Sequence, residues 1–323
     1  MNQLLRFKPI LKDKIWGGEK LIKKLNKQSI REDIGESWEL SDVKGDTSVV
    51  VNGDLRGKDL KELIFEYKSD LLGEKIYNHF GEKFPLLIKF IDAKEALSIQ
   101  LHPHDDLAKK RHNSLGKTEM WYVMQADKDA SLIVGFQKEV TPEKYLYHLE
   151  NKTLTDILNI DKVKKGDVYF IPTGRVHAIG SGVLLAEIQQ TSDITYRIYD
   201  WDRPNSDGTY RELHTEEALE AIDYSAKESY KTNYTKQQNS SSEIVSCPYF
   251  TTNVLPLMGK IALNHSDKDS FVIYICVDGD VEFKYQNQVE KLKKGETILV
   301  PASIKELEIF SEKHSELLEV YIK

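Results

Sequence analysis

Most of the chain reads as short runs in which apolar and polar residues alternate, the period of a strand that buries one face and wets the other. Three stretches carry a helical period instead. In "GKDLKELIFEYKSDLLG" Leu60, Leu63, Ile64, Tyr67 and Leu71 form one apolar stripe, which predicts a surface helix. "TPEKYLYHLENKTLTDIL" opens with Thr141 as N-cap, Pro142 at the first helical position and Glu143 behind it, then continues with apolar residues at helical spacing. "HTEEALEAIDY" predicts a third, shorter helix. Between residues 231 and 243, "KTNYTKQQNSSSE" has almost no apolar content and predicts a linker or long loop. It divides the chain into units of 1–235 and 240–323.

The two units echo each other. "VKKGDVYFIPTGRVHAI" (163–179) resembles "LKKGETILVPASIKELEI" (292–309) in its Lys-Lys-Gly turn, apolar strand, proline and following strand. Upstream, "WYVMQADKDASLIVG" (121–135) and "IYICVDGDVEFKY" (273–285) both read as strand, acidic turn, strand. One β unit thus occurs twice. The first copy has an insertion holding the Thr141 helix, expected to decorate the β framework. With Gly166 aligned to Gly295, His177 faces Glu306; with Tyr122 aligned to Tyr274, Glu119 faces Phe271. The polar groups belong to the first copy alone.

One strand is polar where it ought to be plain. In "LSIQLHPHDD" (97–106), Ser98, Gln100 and His102 share a face while Ile99 and Leu101 share the other. That polar face meets either water or something that needs lone pairs. Downstream, "GDVYFIPTGRVH" has the spacing of the second conserved motif of cupin barrels, in which Gly166 and the Pro-Thr-Gly corner turn the chain so that His177 points inward. Gln100, His102 and Glu119 would then join His177 as nitrogen and oxygen ligands of a divalent metal such as Zn²⁺. With one formal negative charge among four ligands, the ion would remain a net-positive Lewis acid. His104 and His112 follow the Pro103 break in a charged segment and read as surface loop residues.

Composition narrows the classes. A 323-residue chain with 40% hydrophobic residues is long enough and apolar enough for two folded units. A net charge of −7 gives no long-range attraction to nucleic acid or anionic lipid. Cys247 and Cys276 make no disulfide framework, and no stretch has the length of a membrane span or the pattern of a secretion signal. The expected compartment is the cytoplasm, and the expected state a monomer or homodimer.

The segments "IWGG" (15–18), "ESWELSD" (36–42), "LLIKFIDAKEALSIQLHPHD" (86–105), "GKTEMWYV" (116–123) and "GDVYFIPTGRVHAIGSGVLLAEIQQTSDITYRIYDW" (166–201) resemble the type I mannose-6-phosphate isomerases in their short bacterial form. The resemblance spans nearly the whole chain. It implies a mainly β fold of two cupin-like jelly-roll barrels with a few inserted helices, the second barrel without metal ligands. It implies one Zn²⁺ on Gln100, His102, Glu119 and His177, and the family's active-site arginine at Arg197. Ser98, Lys117, Glu187 and Asp193 match further pocket positions. The long members' helical domain between the Glu ligand and the second His is replaced here by the Thr141 helix alone.

The implied reaction interconverts mannose 6-phosphate and fructose 6-phosphate through a cis-enediol. Its developing oxyanion calls for a cation and a pocket arginine, and its proton needs a neighbouring acid or base. If the segment after His177 stays extended, Glu187, Gln189, Asp193 and Arg197 share a face, although a turn among them would break the phase. Lys117 shares a face with Glu119. Lys117 and Glu187 are both candidates for the proton carrier, and Lys117 and Arg197 both suit the phosphate; Arg111 and Arg203 are weaker phosphate candidates. The alternative is a cupin that binds a sugar phosphate as sensor or store without chemistry. A metal-dependent oxygenase fits less well, because four ligands leave less room for oxygen than a facial triad.

Overall fold

The computed structural model describes residues 1–205 and 207–323. Its first unit contains β1 (Ile10–Gly18), β2 (Ile34–Leu40), β3 (Asp42–Val43), β4 (Asp46–Thr47), β5 (Leu86–Ala93), β6 (Ile99–Leu101) and β7 (Glu119–Ala126). These are followed by β8 (Ser131–Phe136), β9 (Leu158–Lys162), β10 (Val168–Ile171), β11 (His177–Ile179), β12 (Val183–Gln190) and β13 (Tyr196–Tyr199). The second unit holds β14 (Ser242–Ser246), β15 (Thr251–Asn264), β16 (Val272–Asp278), β17 (Asp280–Tyr285), β18 (Gln288–Lys293), β19 (Thr297–Val300) and β20 (Glu306–Tyr321). Helices α1 (Lys20–Leu25), α2 (Leu60–Leu72), α3 (Glu74–Phe80), α4 (Asp105–His112), α5 (Pro142–Glu150) and α6 (Thr215–Ala221) lie in the connections.

A six-stranded sheet in the order β1-β2-β5-β12-β7-β10 faces a five-stranded one in the order β13-β6-β11-β8-β9. Trp121, Val123, Tyr169 and Leu185 from the first meet Leu132, Val134 and Ile179 from the second, filling the interior of a jelly roll. The two sheets are separate ladders rather than one closed ring. Behind the six-stranded sheet, Ile88, Phe90, Met120 and Ile188 pack on α2, α3 and on Phe271, Ile273 and Leu318 of the second unit. Every residue of β5 and β12 is therefore buried. Alternation fails in these strands because neither face meets water. Behind the five-stranded sheet, Ile99 and Leu101 pack under α4, α5 and α6 through Leu107, Tyr145 and Ala218.

The internal repeat is visible in the ladders. β7 pairs with β10 and β8 with β11, as β16 pairs with β19 and β17 with β20. β9 returns along β8 as β18 returns along β17. The hydrogen bonds fix the register: Gly166 N–H donates to Val123 O and Gly295 N–H to Cys276 O. Val123 thus corresponds to Cys276, and Glu119 to Val272 rather than Phe271, one residue off the register read from the tyrosines. The second copy also keeps more polarity than expected. In the first, Lys89, Glu187 and Trp121 stand opposite one another across β5, β12 and β7. In the second, Asn253, Glu319 and Tyr274 occupy the matching row across β15, β20 and β16, with Tyr274 Oη donating to Glu319 at 2.9 Å.

The three helices expected from periodicity are present. α2 carries a capping box of Asp59 with Glu62 and a kink at Lys68, which has φ +47°. α5 stops at Glu150, and Leu154–Ile157 forms a separate 3-10 turn. Three helices are additions: α1, α3 and α4. In α4 the His104 side chain accepts from Leu107 N–H at 3.4 Å as the N-cap, with Asp105 and Asp106 in the first turn and Arg111 and His112 in the last. Caps and dipole-matched charges make a helix of a segment whose charge alone suggested a loop. His104 and His112 are exposed as expected, but at the two ends of that helix.

The polar run after residue 230 has no helix and is tied down along its course. Thr232 N–H donates to Val168 O, Tyr234 Oη to Gly166 O, and Lys236 pairs with Glu316 at 2.6 Å. The chain's first residues are stitched to the second unit: Leu5 and Leu299 exchange both backbone hydrogen bonds.

Candidate metal centre and substrate cavity

Strand register gathers the site. On the five-stranded sheet, Arg197, Gln100 and His177 lie directly opposite one another on β13, β6 and β11, so their side chains rise from the same face. On the facing sheet, Trp38, Lys89, Glu187 and Trp121 form a matching row, and Glu119 lies two residues before Trp121 on the same side. His177 is delivered by the corner after β10. Gly174 takes φ +80° there, and a Cβ would stand 2.5 Å from Ala221 O, so glycine is required.

At the centre, the ring nitrogens are sorted by their partners. His102 Nδ1 lies 2.8 Å from Ile194 O and His177 Nδ1 2.8 Å from Arg175 O. A carbonyl only accepts, so each Nδ1 carries the proton and each Nε2 presents a lone pair. Those lone pairs face Glu119: His102 Nε2 is 3.3 Å from Oε2, and His177 Nε2 is 3.5 Å from Oε1. All three residues are 1% exposed. His102 Nε2 and both Glu119 oxygens have no hydrogen-bond partner among the described residues. Burial and the Lys117 charge hold His102 down at about 3, and burial also lowers His177. For Glu119, burial works upward, but the Lys117 charge works against it and the carboxyl is held below its ordinary value.

Three buried acceptors facing one another without a proton between them are repulsive unless a cation sits among them. Their atoms lie within 4.8 Å of one another, and two imidazoles with a carboxylate are a donor set suited to a divalent transition metal. The Gln100 amide stands 3.4 Å from His177 Nε2, with Ser98 Oγ 3.2 Å from its other end. A half-turn of that amide exchanges nitrogen for oxygen and adds a fourth donor.

Beside the cluster opens a cavity of roughly 280 Å³. Ser98, Gln100, His177, Asp193 and Arg197 line it from one side, with Glu36, Lys89, Lys117, Trp121 and Glu187 from the other. Lys117 Nζ is 3.4 Å from Glu119 Oε2. Glu187 accepts from Trp121 Nε1 at 2.9 Å and sits 3.4 Å from Lys89 Nζ. Burial, and then the Glu119 charge, push Glu187 up. Burial would also raise Glu36, yet Lys89, Lys14 and the Trp38 N–H pull it down to about 2. Arg197 is lowered by burial and by Arg211, and donates to Glu212 O at 2.8 Å.

Ser98, Gln100, His102, Lys117, Glu119, His177, Glu187, Asp193 and Arg197 all border the cluster or the cavity. A turn does intervene after Glu187: that residue stays on β12, whereas Asp193 is exposed in the connection that follows and Arg197 stands on β13 of the opposite sheet. Arg111 and Arg203 are engaged elsewhere. Arg111 pairs with Glu220, and Arg203 holds Asp200 at 3.0 Å and Glu95 at 3.2 Å. Sequence reasoning passed over Lys14, Glu36, Lys89 and Arg211, all lining residues. For Lys89 the available signal was a lone charge within an otherwise apolar run, "LLIKFI".

Comparison with known proteins places the chain in a family. Residues 4–131 match the family model described as phosphomannose isomerase type I, catalytic domain, and residues 240–321 match the mannose-6-phosphate isomerase cupin domain. A mannose-6-phosphate isomerase of Bacillus subtilis is 35% identical over 94% of this chain and 95% of its own. One of Streptococcus mutans is 33% identical over 90% of each chain. The crystal structure of mannose 6-phosphate isomerase from Bacillus subtilis superposes with a TM-score of 0.88 at 31% identity, covering all of both chains. On this likeness of sequence and fold, the chain belongs to the type I mannose-6-phosphate isomerases.

Proposed function

We propose that the protein interconverts mannose 6-phosphate and fructose 6-phosphate, with one Zn²⁺ held by Gln100, His102, Glu119 and His177. The observation that carries this reading is the convergence of three proton-free donor atoms beside a cavity that also presents a carboxyl and an arginine. When bound, the metal would supply positive charge for the two sugar oxygens between which the carbonyl moves. Glu187 is oriented by Trp121 and Lys89, and its raised pKa suits a group that takes a proton from one carbon and returns it to the other near neutral pH. Lys117, which lines the cavity with its Nζ 3.4 Å from Glu119 Oε2, would move the proton between the oxygens. Arg197 and Arg211, both lining the cavity, are suited to an anionic phosphate. Trp16, Leu97 and Ile179 give the cavity an apolar wall that limits water around the enediol.

The same reading assigns catalysis to residues 1–235 and a ligand-free structural unit to 240–323, since the donor cluster lies wholly in the first. The reduced thiols at Cys247 and Cys276 suit a cytoplasmic enzyme. The test follows loss of deuterium from carbon 2 of labelled mannose 6-phosphate before and after chelation. Exchange should stop on metal removal and return with Zn²⁺. Sugar-phosphate binding without any exchange in the loaded protein would instead establish a sensor.

A further inference from the structure

The loop 113–118, which delivers Lys117 and Glu119, is braced from an unexpected distance. Asp105, three residues beyond the ligand His102, accepts through Oδ1 from Gly116 N–H at 2.8 Å and from Gln190 Nε2 at 3.1 Å. Gln190 in turn accepts from Thr118 N–H at 2.8 Å. Both backbone amides flanking Lys117 thus hang on one carboxylate, directly or through one side chain. The fit is tight, since a Cβ on Gly116 would come within 2.8 Å of Asp105 N. The remaining oxygen, Oδ2, accepts at 2.6 Å from the hydroxyl of Tyr249, at the tip of the β14–β15 hairpin in the second unit.

We infer that Tyr249 is a positioning residue for the isomerase reaction, holding Lys117 and Glu119 in place through Asp105. This rests on the function proposed above. It gives the ligand-free unit a part in catalysis: its hairpin fixes the third partner of a carboxylate whose other partners set the loop. Charge-assisted hydrogen bonds of this kind fix geometry more firmly than neutral ones, and an error of about an ångström at a reacting group can cost about a hundredfold in rate.

Tyr249→Phe in the full-length, zinc-loaded protein removes the hydroxyl and keeps the ring. The expected result is a kcat lower by about five- to tenfold with KM within about twofold, together with faster loss of zinc to a chelator. Asp105→Asn should lower kcat as well, and adding Tyr249→Phe to it should change nothing further, because the hydroxyl acts only through that carboxylate. Amide exchange at Gly116 and Thr118 should quicken in Tyr249→Phe, a readout that does not need turnover. Wild-type kcat and zinc retention in Tyr249→Phe, or losses that multiply in the double variant, would overturn the inference. If the wild type neither isomerises nor holds metal while those amides still quicken, the functional reading fails and the brace stands as a structural link alone.

Discussion

The proton on each histidine is where the chemistry of this site begins. Because Ile194 O and Arg175 O claim the Nδ1 protons, both Nε2 atoms present lone pairs that suit a cation. His177→Ala should remove one of two imidazoles and lower both bound metal, measured by elemental analysis, and kcat, the latter by at least about a hundredfold. Glu36 gives a prediction of a different kind. Its folded pKa of about 2 lies below the ordinary 4.5, so its pairing with Lys89 stabilises the fold above pH 4.5 and is lost as pH falls toward 2. The gross stabilisation corresponds to roughly 3 kcal/mol. Glu36→Gln should therefore lower the urea midpoint clearly at pH 7 and much less at pH 3. These residues also show what could be read in advance. His102 announces itself through parity with Gln100 and His177 through the Gly-Pro-Gly-His spacing, while Glu119 enters as the carboxylate that the cupin pattern implies. Lys89 and Glu36 do not, because their strands lie in a sheet covered on both sides and have no alternation to say which charge points inward.

Among the elements, the insertion between β8 and β9 behaves differently from expectation in one respect. It leaves β8 and β9 paired, with a register shift between Ile133 and Phe136, but Tyr145 of α5 is fully buried against the back of the five-stranded sheet. Tyr145→Ala should cost about 3–5 kcal/mol, the range for deleting a large buried ring, seen as a lower denaturation midpoint with the metal content of the folded fraction unchanged. The second copy closes the same passage with a short turn around Gln286 and needs no such cover. α2, α5 and α6 were legible because each carries an apolar stripe or a cap. α4 was not: its stability comes from an N-cap histidine and end charges, which count only once the backbone is helical.

For the whole molecule, the second unit is a wall of the first. Phe271, Ile273 and Leu318 cover the outer face of the six-stranded sheet, and the N-terminal Leu5 is paired into the second unit. A chain ending at residue 235 exposes that face and should collect in the insoluble fraction on expression; a soluble, metal-binding 1–235 fragment would contradict this. Chelation should lower the melting temperature of the intact protein, since a ligand bound only by the folded state adds stability.

The two-sided cover over β5 and β12 also bears on how the enzyme would be lost. Glu187 and Lys89 sit on strands that no local fraying can reach, so their amides should trade hydrogen for deuterium only when the entire structure comes apart. Under heat, this wall of the cavity should have no early, partial failure: it would stay assembled until the last cooperative step and disappear with the fold itself.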